Sequence, residues 1–185
     1  VGACRQGSAE FDVFVHRSHQ GRIVELEKAA LPRPSATEVL AQIVSSSALI
    51  GEAQDLPSAA QAAADAVRSA TGYDRILVYR FLEDGSGEVI AEALADDMDS
   101  LLNHRYPASD IPQQARALYL ANRIRVIPDV GYTPVPLRSE SEPVDLSGAL
   151  FRSISPVHIQ YLKNMEVGAS ASVSIINEGP LWGLI

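Results

Sequence analysis

The chain has little cysteine and few basic residues. Among its 185 residues are one cysteine, Cys4, and 15 Lys and Arg against 23 Asp and Glu, which gives a formal net charge of −8 at pH 7. One cysteine excludes an intrachain disulfide and a multi-cysteine metal cluster, and it is typical of the reducing cytoplasm. An acidic chain also binds poorly to nucleic-acid phosphates or to an anionic membrane surface. We therefore expect a cytoplasmic protein that binds neither nucleic acid nor membrane.

Long apolar runs are also missing. No stretch reaches the ~20 apolar residues of a membrane-spanning helix, and the first residues lack the charged-then-apolar order of a signal peptide. Hydrophobic residues nevertheless make up 46% of the chain and charged residues 21%, which is enough for a sizeable core. We expect a soluble globular domain, with or without a fragment of a second one, cut at both ends from a longer protein.

Hydrophobic periodicity divides the chain into strand-like and helix-like segments. Alternation at 11–17 and 22–27, around a Ser-His-Gln-Gly turn, predicts a β-hairpin. A period near 3.6 predicts helices at about 35–50, 57–71 and 113–122 and from Pro156 onward, and strands are predicted at 73–81, 88–94, 123–127, 169–176 and 181–185. This order predicts an α+β fold, in which helices pack on the faces of an antiparallel β-sheet.

Two connections and one helical stripe add to this outline. Residues 31–34, Leu-Pro-Arg-Pro, predict a stiff linker, because each proline keeps the preceding residue out of the helical region. Residues 129–147, rich in proline and charge, predict a long loop. The first helix has an apolar stripe, which we predict to be buried rather than to form a dimer contact; it comprises Val39, Leu40, Ile43 and Val44.

The segment 105–112, Arg-Tyr-Pro-Ala-Ser-Asp-Ile-Pro, is unusual for a connection. Two prolines restrict the backbone on either side of Asp110, just before a predicted helix. The carboxylate of Asp110 could cap that helix by accepting hydrogen bonds from its free N–H groups. Alternatively, the rigid loop presents Asp110, with its backbone carbonyl, to a pocket. The residue pattern leaves both interpretations open.

A second candidate segment begins at Ser155. Ser155 as N-cap and Pro156 at the first helical position predict a helix start. His158, Tyr161 and Met165 then share one face of the helix with Leu162. A lone histidine on such a face is commonly a core residue. The mixture of polar tips and apolar bodies also suits the wall of a pocket for a large amphipathic ligand.

Catalytic motifs are absent from the sequence, whereas arginines flank both candidate segments. No nucleophile–base pair, phosphate-binding loop or zinc-ligand spacing occurs, so we predict neither an enzyme nor a metal site for this chain. Guanidinium groups gathered around one site could bind a carboxylate or phosphate by paired hydrogen bonds, and otherwise they are scattered surface charge. The arginines concerned are Arg116, Arg123, Arg125 and Arg152.

Taken together, these segments closely resemble the chromophore-binding GAF domain of phytochromes. The resemblance covers roughly 35–185, and residues 11–30 resemble the last two strands of the PAS domain that precedes it. We therefore predict a PAS remnant at 1–30 and a GAF domain at 31–185 that is truncated at its C-terminal strand. The resemblance to the GAF domain of phytochromes rests on the following residues: Tyr73-Asp74-Arg75, Tyr79-Arg80-Phe81, Pro107 to Pro112, Leu118-Tyr119, Arg123-Ile124-Arg125, Ser155 to His158, Tyr161-Leu162 and Asn164-Met165.

The resemblance implies a cofactor and the region of its attachment. No thiol stands beside His158, so the chain is most similar to bacteriophytochromes, which carry biliverdin IXα, a linear tetrapyrrole, on a cysteine near the N-terminus. We expect that attachment site to lie outside this chain. Cys4 is then interpreted as a buried or incidental cysteine. Glu166 departs from the family, which has glycine there, as the C-terminus of a helix favours.

The resemblance also implies a role for each candidate residue. Asp110 would offer its carbonyl to the pyrrole N–H groups, and His158 would help to manage the proton that keeps the bilin cationic. Arg125 and Arg152 would bind the B-ring propionate. The further predicted contacts are Ser170 and Ser172 to the C-ring propionate, Tyr79, Tyr106 and Tyr161 around ring D, the Tyr119 hydroxyl beside the B-ring propionate, and Ile111, Pro112, Ser155 and Met165 elsewhere in the pocket.

The function that the resemblance implies is sensing of red and far-red light. Photoisomerisation of the bilin would regulate a downstream output, expected to be a histidine kinase acting on a response regulator in a homodimeric full-length protein. The alternative is a GAF module without bilin, which binds another small ligand such as a cyclic nucleotide or serves for dimerisation.

Overall fold

The computed structural model describes residues 2–29, 34–139 and 143–185, so the predicted linker lies outside the described residues except for Pro34. The chain divides into two compact units. The first unit comprises Val1–Leu31 and Ala121–Ser172, and the second unit comprises Pro32–Leu120 and Val173–Ile185. Within the described ranges, no helix combines the length and apolar character needed to cross a membrane. The domain boundary at residue 30 stays a prediction.

A three-stranded antiparallel sheet occupies the N-terminal part of the first unit. Strands β1 (Gly2–Gln6), β2 (Ala9–Ser18) and β3 (Gly21–Lys28) pair in that order. The predicted hairpin is confirmed as β2 and β3, whereas β1 was not predicted. Cys4 lies inside β1 opposite Phe11 and is exposed, so it is not a buried cysteine.

The rest of the first unit is built around a small apolar cluster. Strand β7 (Ile124–Ile127) and helix α4 (Pro156–Asn164) contribute to it. No helix or strand is present in the described residues 128–139 and 143–155, in agreement with the loop predicted at 129–147. The buried members of the cluster are Ile127, Val130 and Leu162, and Ile154, Ile159 and Val167 pack against them.

The tip of the β2–β3 hairpin is tied to this loop by side-chain hydrogen bonds. Gln20 donates from Nε2 to the carbonyl of Pro143 and accepts at Oε1 from the amide of Asp145, both at 2.8 Å. The carboxylate of Asp145 lies 3.2 Å from Nδ1 of His19. Hydrogen bonds from Ser147, and then the contact with His19, lower the pKa of the Asp145 carboxyl. The carboxylate is therefore charged over a wide pH range.

Glu25 of β3 makes a second, more buried tie to the same loop. Its two carboxylate oxygens accept hydrogen bonds from the amides of Leu150 and Phe151, at 3.0 and 2.9 Å. Nδ1 of His16 lies 3.4 Å from the same carboxylate. A Cβ at Gly148 would come within 2.6 Å of the His16 ring, so any larger residue there would require the ring to move. One side chain thus satisfies two loop amides, about 125 residues away in the chain.

The second unit contains most of a six-stranded sheet. Its elements are α1 (Ala36–Gly51), α2 (Leu56–Thr71), β4 (Arg75–Phe81), β5 (Gly87–Leu94), β6 (Arg105–Tyr106), α3 (Gln113–Ala121) and β9 (Leu181–Leu184), while β8 (Ser170–Ile176) begins in the first unit and ends in the second. Hydrogen bonds link the strands in the order β6-β5-β4-β9-β8-β7. Strand β4 pairs antiparallel with β5 and β9, and β9 pairs antiparallel with β8. The α+β prediction is confirmed, and only the two-residue strand β6 was missed here.

Helix α2 packs on the sheet through alanines. Asp55 caps its first turn by accepting from the amide of Ser58 at 2.9 Å, and Gly72 ends the helix in the left-handed conformation, in agreement with the helix predicted at about 57–71. Small side chains let the helix approach the strands closely. The buried cluster consists of Ala60 and Ala64 of α2 with Ile76, Val78, Ala91 and Ala93 of the sheet.

The apolar stripe of α1 is not buried, which corrects the prediction made from its periodicity. Ser35 caps the helix in a reciprocal capping box with Glu38, so the helix start is as predicted. No residue of α1 is buried among the described residues. The exposed side chains include Val39 at 41%, Leu40 at 61%, Ile43 at 57% and Val44 at 61% exposure. The amphipathic pattern correctly gave a helix, but the apolar side has no cover inside the second unit.

Substitution of Glu25 is expected to loosen the first unit. Glu25→Ala leaves two partly buried amides without their acceptors and should lower the free energy of unfolding by about 2 kcal/mol. Glu25→Gln retains one acceptor oxygen and should cost about half as much. Chemical denaturation measures both values, with Glu52→Gln at the exposed end of α1 as the charge-matched control. Equal stability of Glu25→Ala and the control would contradict the assigned tie.

Candidate ligand-binding site

The predicted site residues fall into two groups, one in each unit. Asp110, Ile111, Pro112, Tyr79, Tyr106 and Tyr119 belong to the second unit, and Arg125, Arg152, Ser155, His158, Tyr161, Met165, Ser170 and Ser172 belong to the first. Within each unit, some members of its group lie in contact with one another. Two shallow depressions elsewhere on the surface are lined by none of these residues.

Asp110 lies in a short turn between β6 and α3. The amide of Asp110 donates to the carbonyl of Pro107 at 3.1 Å, which closes the turn. Arg116 donates its amide to the carbonyl of Pro112, so the first helical turn closes on Pro112, and Asp110 stands two residues outside it. The exposed carboxylate of Asp110 contacts the hydroxyl of Ser109 at 3.5 Å. This geometry favours presentation by the loop over helix capping.

Tyr79 and Tyr106 form an aromatic pair beside that turn. Their ring centroids are 6.1 Å apart, and Tyr79 also meets Phe81 edge-on at 5.2 Å. Gly87 of β5 makes room for Tyr79, because a Cβ there would lie 1.9 Å from the Tyr79 Cζ. The glycine therefore dictates where the Tyr79 ring can lie. The sequence does not reveal this role of Gly87, because a glycine beside a turn gives no sign that a tyrosine ring packs against it.

Tyr119 of α3 is anchored through its backbone. Its carbonyl accepts a hydrogen bond from the hydroxyl of Ser174 in β8 at 2.8 Å, within the second unit. The side chain is partly buried. Ser174 thus fixes the height of α3 along the strand, a contact between residues 55 positions apart that periodicity does not predict.

Arg125, Arg152 and His158 form a cluster of basic side chains in the first unit, in which the two arginines carry the positive charge. Burial, and then the charge of Arg125, lower the pKa of the His158 imidazole below its usual value. Burial and Arg125 likewise lower the pKa of Arg152, which Asp145 partly offsets. Among the described residues Arg125 has no hydrogen bond or ion pair. The guanidinium of Arg125, which lies near a second guanidinium and has no acidic partner in the described part of the chain, is suited to binding a ligand acid.

The face of α4 that carries His158 is divided. His158 is partly buried, and its ring lies nearly parallel to that of Tyr161, with centroids 6.2 Å apart and an interplanar angle of 12°. Leu162 is buried in the apolar cluster, whereas Tyr161 and Met165 are 41% and 39% exposed. Leu162 is therefore the core residue of this face, whereas Met165 is not a core side chain.

Neighbouring residues fix the start of α4 and the position of Arg152. Ser155 occupies the N-cap position, as predicted, but its side chain makes no capping hydrogen bond. Instead, the amide of Ile154 donates to the hydroxyl of Tyr132 at 2.9 Å. Arg152 donates from its guanidinium to the carbonyl of Ser147. Tyr132 and Ser147 lie in the long loop and were not predicted as contributors.

The remaining serines and arginines are placed as follows. Ser170 and Ser172 are two residues apart in β8, so both project from the same face of the strand. Both side chains are partly buried. Arg123 is exposed. Arg116 lies in the second unit, where protein groups surround its guanidinium. The predicted arginine cluster is thus reduced to Arg125 and Arg152. In the described part of the chain, no three His, Cys, Asp or Glu side chains converge as around a metal ion.

Glu166 closes α4 in a conformation that glycine adopts more readily. Its φ is 58°, in the left-handed region. The amide of Glu166 donates to the carbonyl of Lys163, and the amide of Val167 donates to that of Leu162, both at 3.0 Å. These two bonds, with the contact between Val167 and Leu162, form a Schellman motif. The glycine preference inferred from the sequence therefore has a local backbone cause.

A family model for the GAF domain matches residues 55–185. This match covers more than half of the chain and includes the Asp110 loop, β7 and α4. The chain belongs to the GAF domain family.

Within that family, the similar curated proteins are phytochromes. A bacteriophytochrome of Pseudomonas aeruginosa is 44% identical over 185 residues, covering 97% of this chain and 25% of the relative. Cyanobacterial phytochrome B of Nostoc sp. is 43% identical over 184 residues, covering 96% of this chain and 24% of the relative. The chain therefore spans about a quarter of the length of these curated relatives.

Two solved chromophore-binding domains have the same fold as this chain. That of Stigmatella aurantiaca phytochrome P1 superposes with a TM-score of 0.89 at 40% identity, over 96% of this chain and 60% of that one. That of an unusual bacteriophytochrome from R. palustris gives a TM-score of 0.85 at 42% identity, over 95% and 59%. The GAF fold predicted from the motifs is confirmed.

Replacement of Glu166 by glycine is expected to stabilise the first unit. Glu166→Gly removes the left-handed strain of a residue with a Cβ and a negative charge at the helix C-terminus, and should raise the free energy of unfolding by about 1 kcal/mol. Glu166→Gln removes only the charge and should recover a small part of that gain. Thermal and chemical denaturation measure the difference. A destabilised Glu166→Gly variant would contradict the strain assigned to this position.

Proposed function

We propose that this chain is the chromophore-binding module of a red/far-red photoreceptor, and that it binds a linear tetrapyrrole, specifically biliverdin IXα. The observation that carries the proposal is the cluster of basic side chains, in which the cationic Arg125 and Arg152 lie near His158 in the first unit. The phytochrome names of the relatives and of the solved structures support the ligand class.

The cluster fits a ligand with carboxylate side chains. Arg125 has no acidic partner among the described residues, and Arg152 uses one of its donors on the carbonyl of Ser147. Their planar guanidinium groups can each bind a carboxylate through two hydrogen bonds. We assign them to the B-ring propionate of the bilin, and the hydroxyls of Ser170 and Ser172 to the C-ring propionate.

His158 fits the handling of a proton on the ligand. Its lowered pKa keeps the imidazole neutral at neutral pH, so one ring nitrogen donates and the other accepts. A propionate bound at Arg125 would reduce the repulsion that lowers this pKa. Binding of the acidic ligand and protonation of His158 are therefore expected to favour each other.

The tyrosines fit the walls around a ring that must turn. Tyr79 and Tyr106 pack on one another, and Gly87 leaves the space that Tyr79 fills. Aromatic bodies restrict the motion of a bound ring while their hydroxyls offer polar contacts. We assign Tyr79, Tyr106 and Tyr161 to ring D, the Tyr119 hydroxyl to the B-ring propionate, and Ile111, Pro112, Ser155 and Met165 to further contacts with the ligand.

A linear tetrapyrrole supplies absorption of red light and a double bond that isomerises after excitation. Asp110, on its restricted loop, offers a carbonyl to the pyrrole N–H groups and an exposed carboxylate to partners that change with the isomer. We further propose that the complete protein is cytoplasmic, that its bilin is attached to a cysteine other than Cys4, and that its output is a histidine kinase acting on a response regulator.

The exposed stripe of α1 favours a second role, in dimerisation. Its apolar side chains, Leu40, Ile43 and Val44 among them, have no cover inside the second unit. Large exposed apolar patches commonly mark protein interfaces. A homodimer of the complete protein would cover them, which sedimentation analysis can detect. The dimer and the bilin site use different residues, so both roles are compatible.

Reconstitution with biliverdin tests the ligand assignment. The complete product of the gene that encodes this chain should bind biliverdin, absorb in the red and give a light-minus-dark difference spectrum. Arg125→Gln should weaken binding at least about tenfold, because a charge-assisted hydrogen bond is lost. Arg123→Gln, at an exposed neighbour, is the matched control. A colourless preparation that binds a cyclic nucleotide instead would overturn the proposal in favour of the alternative GAF function.

Removal of the Asp110 carboxylate tests its assigned role. Asp110→Ala keeps the backbone carbonyl, so biliverdin should still bind with nearly unchanged affinity. The light-driven conversion should lose yield or fail to reach its end state, because the carboxylate contacts that differ between isomers are gone. Absorbance after red and far-red illumination measures this, with Asp97→Ala as the charge-matched control. A normal photocycle in Asp110→Ala would exclude the carboxylate from the mechanism.

A further inference from the structure

Arg116 connects three parts of the second unit with one guanidinium group. From the first turn of α3, its Nε donates to the carbonyl of Ile111 at 2.9 Å. Its Nη2 donates to the carbonyl of Gly85 in the β4–β5 turn. Its Cζ stands 4.5 Å from the centroid of the Phe81 ring. The side chain thus joins the residue after Asp110 to the turn that follows β4.

The β4–β5 turn offers a firm point of attachment. The amide of Leu82 donates to the carbonyl of Ser86 at 2.8 Å, and that of Gly85 donates to Leu82 at 3.0 Å. The carboxylate of Asp84 accepts from both the hydroxyl and the amide of Ser86, and these bonds lower its pKa. The turn is therefore held by its own hydrogen bonds, independently of Arg116.

The Asp110 loop, in contrast, has few internal ties. Within 107–112, the amide of Asp110 bonds to the carbonyl of Pro107, and the loop residues are exposed except for Ile111. The loop also approaches the turn closely, since a Cβ at Gly85 would lie 3.4 Å from the Cβ of Ala108. Two prolines restrict the loop locally, but they do not fix its place against the sheet.

We propose that Arg116 is a positioning residue, which sets the place of the Asp110 loop by attaching it to the β4–β5 turn. Only a planar fork with donors in fixed directions can reach two carbonyls and lie over an aromatic ring at once. The consequence for the photocycle rests on the proposed bilin-binding function, whereas the attachment of the loop does not.

The first measurement needs no ligand. Arg116→Gln should make the amide of Asp110, which donates to the carbonyl of Pro107, exchange with solvent about tenfold faster, because the charged hydrogen bond that holds the loop at the Ile111 carbonyl is lost. Arg116→Lys keeps the charge without the fork and should lie between the variant and the wild type. Exchange in α2 and β4 should stay unchanged, as should all exchange in the control Arg123→Gln. Unchanged exchange of the Asp110 amide, or equally faster exchange throughout the unit, would overturn the proposal.

The second measurement uses the complete gene product with biliverdin. Arg116→Gln should retain the pigment and lose photoconversion yield to the level of Asp110→Ala. The double variant should be no worse than Asp110→Ala alone, because both substitutions remove the same positioned carboxylate. Additive losses would overturn the link to Asp110. A wild type that binds no biliverdin removes the proposed function, and the exchange experiment then decides the attachment of the loop by itself.

Discussion

The second unit depends on strand β4, because the side chains of this strand must pack on both faces of the sheet at once. Side chains alternate along a strand, so Ile76 and Val78 reach the buried cluster with α2, and Tyr79 and Phe81 point to the opposite face. There, Tyr79 meets Tyr106, and Phe81 supports the guanidinium of Arg116. Burial of one face therefore fixes the aromatic groups of the other. A slip of one residue would exchange the two sets and remove both the core and the candidate site.

Much of the fold could be predicted because local patterns agree with the final contacts. The β2–β3 hairpin, the end of α2 at Gly72 and the start of α4 at Pro156 each follow from residues close in sequence. Strand β1 could not be predicted, since all its residues are exposed and its pairing with β2 is what orders it. The stripe of α1 has the period of a buried helix, but no local signal tells whether a partner covers it.

The sequence predicted which chemical groups belong to the candidate site. It predicted much less well which other residues hold the surrounding segments in place. Asp110, Arg125, Arg152 and His158 stand out as residue types in a motif. Glu25 and Arg116 do not, because each acts through backbone carbonyls or amides that a sequence does not display. The amides bonded by Glu25 lie some 125 positions away. Arg116 was grouped with ligand-binding arginines, yet two protein carbonyls and an aromatic ring take up its guanidinium.

Gly87 illustrates how a position can control a site without any reactive group of its own. The ring of Tyr79 lies in the volume that a side chain at 87 would occupy. Any side chain at 87 would require the Tyr79 ring to move, and a mutational survey that found Gly87 sensitive would assign it to the fold. The direct effect of a substitution at Gly87 would be a displaced Tyr79 ring, which would change the spectral properties more than the stability. Intolerance at a residue without chemistry is therefore a sign of the side chain packed against it.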